Sequence, residues 1–207
     1  MAEPDHLLAW WRVRALVPWA TAAAPVTGPV PGRRDGVLDF VRATAAARDP
    51  GRAARLLGAL HRAGEAAARR EELTFGALAA WQAHVLGVPA AGFRTRAAYA
   101  KGGRERYGLE PGTRERFEAC LAEATDPRIP LPSRAARVYL DTAFVHPFSD
   151  GNARAAMLCL YFVLRRDDVT IDLAAPLLSV ARRADDAGGA LDLVRLVEIL
   201  VSAARRR

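Results

Sequence analysis

Residues 146–154 read His146-Pro147-Phe148-Ser149-Asp150-Gly151-Asn152-Ala153-Arg154, and residues 155–164 continue as AAMLCLYFVL. The second run has no polar face, the pattern of a helix buried on every side. Arg165 and Arg166 follow it, where cations complement a helix carboxyl end. Upstream, Ala135, Val138, Tyr139, Thr142 and Val145 recur at helical spacing. Pro147 drives His146 out of the right-handed helical region, so the upstream helix ends there. The stretch is therefore a short polar loop delivered by one helix and opening a second, buried one.

Each polar residue of that loop has chemistry available to it. His146 can hold or release a proton near neutral pH, as a general base must. Asp150 is a hard-oxygen ligand for a magnesium ion that also holds substrate phosphates. Gly151, Asn152 and Ala153 present backbone N–H groups at a helix start, a natural anion site. Asn152 adds a side-chain donor, and Arg154 a planar fork for phosphate. Phe148 has no polar role and reads as the anchor that pins the loop to the core.

HPFSDGNAR resembles the signature of the Fic (Fic/Doc) family, His-x-Phe-x-Asp/Glu-Gly/Ala-Asn-Gly/Lys-Arg. His146, Phe148, Asp150, Gly151, Asn152 and Arg154 match it, and Ala153 departs where the family usually has Gly or Lys. The plain alternative is a helix-loop-helix turn with a polar cap, against which stands the agreement of all the other fixed positions in the expected context. The resemblance implies an all-α Fic-type helical bundle around a buried central helix, about 152–166. It also implies a small β-hairpin flap, about 92–108, on which a target protein docks by strand pairing. The implied activity is protein nucleotidyl transfer: AMP passes from Mg-ATP to a target Ser, Thr or Tyr hydroxyl. His146 is the implied base and Asp150 the Mg2+ ligand; Gly151, Asn152, Ala153 and Arg154 bind the ATP phosphates, and Arg154 is with His146 an implied catalytic residue, stabilising the charge that develops on them. Two other classes stay open: an enzyme of this fold with another nucleotidyl or phosphoryl donor, and a nucleotide-binding regulator or toxin-type protein. An antitoxin or a second copy of the chain also stays open as a partner. Many relatives carry a second arginine where this chain has Met157, and they carry an inhibitory Ser/Thr-x-x-x-Glu motif, which is absent here.

Composition bounds these readings. At 207 residues with 51% hydrophobic residues, one domain with a sizeable core is the expectation. No apolar run reaches membrane-span length, and the start, with Glu3, Asp5 and a Trp pair, does not read as a signal peptide. Cys120 and Cys159 read as two buried free thiols, which suits a reducing cytoplasm. The net charge of +7 is almost entirely arginine, Lys101 being the only lysine. Without a zinc spacing, an RNA-binding aromatic signature or a dense basic block, apart from Arg205-Arg206-Arg207, nucleic acid is not the expected partner.

Along the chain, residues 1–36 read as an N-terminal extension and linker, and 37–207 as the helical domain, with a core at about 73–173. Trp10, Trp11 and Trp19 mark a short helix packed on the main body, and Pro and Gly in 21–36 mark the linker. Helices are expected at 37–48, with Leu38, Val41 and Ala45 on one face, and then at 52–72, 75–86, 113–124, 172–183 and 189–204. In the flap, Phe93–Arg96 and Arg104–Tyr107 are the expected strands, with Gly102-Gly103 as the turn. His61 and His84 lack partners at metal spacing and read as core or surface histidines.

Overall fold

The computed structural model describes residues 4–206 apart from Ala46. Glu3, Ala46, Arg207 and the side chain of Ala45 lie outside the described residues. In chain order the elements are α1 (His6–Leu16), β1 (Val30–Pro31), α2 (Gly36–Phe40), α3 (Pro50–Ala68), α4 (Phe75–Leu86), β2 (Ala98–Ala100), β3 (Glu105–Tyr107) and α5 (Thr113–Glu123). They continue with α6 (Leu131–Val145), α7 (Asn152–Arg166), β4 (Val169–Thr170), α8 (Ala175–Leu178) and α9 (Ala187–Arg205). The fold is mostly helical with one small antiparallel hairpin, as the sequence led us to expect. No helix among the described residues is long and apolar enough to cross a membrane.

Helix α7 is the axis of the bundle. Residues 155–164 are all buried, and α3, α4 and α6 pack around them. The small residues of α3, Ala59, Ala63 and Ala67, are fully buried and let its backbone come close to α7. Gly64 of the same helix lies against the Tyr161 ring, its built Cβ position 3.5 Å away. His84 packs onto Gly58 where α3 and α4 meet, while His61 reaches Glu65 at 3.2 Å on an exposed face. Both are thus packing or surface histidines.

The N-terminal third packs into this same core. Trp10 is fully buried, and its indole Nε1 donates to Asp141 Oδ1 of α6 at 2.9 Å. Arg14 Nε donates to that same oxygen at 2.8 Å. A buried carboxylate is tolerated only with such partners, so losing either would leave Asp141 poorly compensated.

Four expectations need correction. The stretch 21–36 is not a plain linker: Val30 and Pro31 pair in parallel with Val169 and Thr170, and Val30 is fully buried. Two of its three glycines are close-approach residues, since a Cβ at Gly32 or Gly36 would collide with the backbone of residues 170–173. The helix expected at 37–48 runs regularly only to Phe40 and widens into a π-turn over Val41–Ala45. Asp49, extended at φ −156 and ψ 97, caps α3, so the chain has to leave the helix before it. The helix expected at 172–183 shrinks to α8, because Asp172 instead accepts the backbone N–H of Arg34 beside the β1–β4 pair. Finally, the first flap strand lies at Ala98–Ala100, not at Phe93–Arg96. Arg94 N donates to Pro147 O at 2.8 Å, so that segment is bound to the polar loop and not to β3.

Candidate active site

Helix α6 ends at Val145, and His146 turns into the left-handed region at φ 51 and ψ 59. Pro147 does expel His146 from the right-handed helix, but not into the extended region. A left-handed backbone is uncommon for a residue with a Cβ and needs surroundings that hold it. Arg94 does this. Its Nε donates to His146 O at 2.8 Å, and Nη2 donates to Val145 O at 3.2 Å and to Gly108 O. Nη1 donates to Arg96 O at 2.6 Å. A single buried guanidinium thus ties the end of α6 to both ends of the flap.

The loop beyond His146 closes on itself. Phe148 is buried and stacks on Phe75, centroids 5.6 Å apart and planes at 21°. Asn152 Oδ1 accepts from Phe148 N, and Nδ2 donates to Phe148 O, both at 2.9 Å. The Asn152 side chain is therefore a clasp across the loop and not the free phosphate donor the sequence led us to expect. Gly151 sits at φ 78, and a Cβ there would collide with the Gln82 amide, whose Nε2 donates to Asp150 O at 2.8 Å. Gly151 N donates to Asp150 Oδ1 at 2.6 Å, so this amide too is engaged. The amides of Asn152 and Ala153 have no acceptor among the described residues, and α7 has no side-chain cap. An uncapped helix start with two open N–H groups is an anion site by construction. Ala153 is exposed and begins a regular helix, a geometry that alanine adopts as easily as glycine.

His146, Asp150, Gly151, Asn152, Ala153 and Arg154 all line one open cleft of about 650 Å³. The Asp150 carboxylate is largely exposed, with Oδ2 at 3.4 Å from Arg154 Nη2. The His146 ring is mostly buried under Tyr107 of β3, centroids 4.0 Å apart and planes at 16°. Burial lowers its pKa to about 4, with Arg94 adding to the effect and the Ala143 backbone and Glu105 opposing it. The imidazole is consequently neutral at physiological pH.

Residues 72–164 match the model of the Fic/DOC family. This segment is a Fic/DOC family domain. No curated protein matches the chain. The Fic/DOC domain takes in α4, the flap, α5, α6, the loop and nearly all of α7. It points to a Fic-type transferase, a class that typically uses ATP and magnesium. Several residues that shape the site were missed by sequence reasoning. Within the domain these are Gln82, Arg94 and Tyr107; beyond it they are Asp5 and Arg182. Gln82, fully buried in the middle of a helix, was the one with a visible signal, a polar residue on an apolar face. Arg94 and Arg182 carried none, being arginines in an arginine-rich chain. Arg182, in the wall after α8, lines the cleft and makes no hydrogen bond or ion pair to a described residue, its Nε being buried. Burial pushes its pKa down, Tyr139 and Asp192 opposing.

Proposed function

We propose that this protein transfers a nucleoside monophosphate, AMP from Mg-ATP in the first instance, to a hydroxyl side chain of a target protein. One observation carries the reading: a neutral, shielded imidazole shares a cleft with an uncapped helix start, a carboxylate and an arginine. His146 takes the proton of the target hydroxyl. The oxygen bonds to the α-phosphorus as the bond to the pyrophosphate oxygen breaks, and pyrophosphate leaves. The open amides of Asn152 and Ala153, with the Arg154 fork, stabilise charge that develops on the phosphate oxygens.

Magnesium belongs to the substrate, and Asp150 would hold it. Among the described residues no cluster of three or more His, Cys, Asp or Glu could hold a metal ion. A lone exposed carboxylate beside a phosphate site suits an ion held mainly by phosphate oxygens and water. Arg182, on the facing wall and with no hydrogen bond or ion pair to a described residue, takes the phosphates that leave. The target docks as an added strand on β2, because the outer edge of β3 is already bridged by Asp5.

The test is a panel of nucleotides labelled at the α or the γ phosphate, incubated with lysate and with the protein or its His146→Ala variant. The expected result is α-label on protein bands, reduced about 10²–10⁴-fold in the variant. Transfer of γ-label would replace nucleotidyl by phosphoryl transfer. Equal labelling by both proteins would remove His146 from the mechanism.

A further inference from the structure

Helix α1 lies outside the Fic/DOC segment, yet its first residues reach the centre of the site. The carboxylate of Asp5 is nearly buried and accepts from four donors, the Leu8 amide at 3.4 Å being the weakest. Oδ1 accepts from Leu7 N at 3.0 Å, capping α1, and from Gly108 N at 3.1 Å, at the exit of the flap. Oδ2 accepts from Arg106 Nη1 of β3 at 2.8 Å, in an ion pair whose partners are 33% and 11% exposed at the side chain. The backbones of Asp5 and Arg106 also form a parallel bridge. Gly108 is required beneath, since a Cβ there would run into the Asp5 carboxylate.

From this clamp a short path leads to His146. The His6 ring lies 5.6 Å from that of Tyr107, and the other neighbour of Tyr107 is the His146 ring at 4.0 Å. Tyr107 is itself fixed, its hydroxyl donating to Glu105 Oε2 at 2.8 Å. Helix α1 in turn is anchored to α6 through Trp10, Arg14 and Asp141. The flap is otherwise slight: three residues per strand, with its turn at Lys101, Gly102 and Gly103 all in the left-handed region. Two-stranded hairpins of that size are marginal by themselves. Something outside the hairpin has to hold it, and Asp5 is placed to do so.

We propose that Asp5 is a positioning residue: it clamps the flap from helix α1 and so keeps Tyr107 stacked on His146. The N-terminal segment is then a working part of the site. Its place in transfer rests on the function proposed above, but the clamp itself can be measured without any transfer.

The experiment uses the full chain with Asp5→Ser, which can still cap α1 but loses the ion pair, and Arg106→Leu, which removes the same pair from the flap side. Amide exchange is followed across residues 98–108 and across α7, with the His146 ring signals recorded by NMR. Both variants are expected to speed exchange in the flap about tenfold, leave α7 unchanged and shift the His146 ring signals as Tyr107 moves off. Mg-ATP affinity should stay within about twofold, while labelling of the target falls more than nucleotide binding. Flap exchange and ring signals identical to wild type in both variants would overturn the clamp. Exchange rising equally in α7 would reduce Asp5 to a general stability residue and overturn it equally. Absence of any transfer by the wild-type protein would sink the proposed function and leave the clamp to be decided by exchange alone.

Discussion

The loop at 146–152 and the flap at 98–107 face each other across the cleft, and they are held in opposite ways. The loop is closed first by its own residues and then braced from α4 by Gln82 and Phe75. Asn152 clasps Phe148 four positions away, and Gly151 supplies the turn that a side chain would block. The flap owes its place to distant residues, Asp5 more than a hundred positions upstream and Arg94 reaching from Gly108 to His146. A site with one wall closed on itself and braced by the core, and the other held by a few distant side chains, can lose the second without losing the first. Its chemical groups are then expected to be more robust than the flap on which a target is proposed to dock.

The largest expected effect breaks the local wall. Phe148→Ala removes a ring that is 1% exposed and stacked on Phe75. The cost should be about 3–5 kcal/mol by denaturant titration, as for other buried phenylalanines, with loss of nucleotide binding as the loop opens. A cost below about 1 kcal/mol would mean that the loop is held by the flap after all.

The next effect lies at His146, where the walls meet. Its pKa falls from 6.5 to about 4 on folding, chiefly by burial. A group depressed in this way contributes stability that is complete above 6.5 and is lost as pH falls toward 4. Folding stability should therefore drop by up to about 3 kcal/mol over that window. His146→Asn should flatten this part of the curve in pH-dependent melting, and an unchanged slope would place the imidazole in water.

The smallest effect tests the third wall, to which neither region contributes. Arg182→Ala should weaken ATP about tenfold by calorimetry and leave AMP nearly unchanged, since a cleft-lining guanidinium with no ion pair to a described residue is assigned to the leaving phosphates in the proposed reaction. Equal losses for ATP and AMP would assign Arg182 to the α-phosphate or the nucleoside instead.

Much of this was legible in the chain, for a physical reason. Helix α7 could be bounded at Asn152–Arg166 because an all-apolar run, a preceding glycine and closing arginines are local signals. The loop residues could be gathered because they are consecutive, so any fold that forms the turn brings them together. Asn152 was misjudged within that same turn. An amide looks alike whether it faces a phosphate or a backbone, and only the closed loop shows that both its ends are taken.

What the sequence determined, then, is the helical bundle, its buried axis and the polar loop, all set by periodicity and by spacing within a few residues. What only the tertiary structure decided is how that loop is used. The left-handed His146 under Tyr107, the carbonyls gathered by Arg94 and the grip of Asp5 on Gly108 all join residues far apart in the chain, and Arg182 enters the cleft wall from beyond α8. Their side chains are ordinary in composition and acquire meaning only from what the folded backbone brings within a few ångströms. Hydrogen bonds and desolvation act over that distance and carry no period along a sequence.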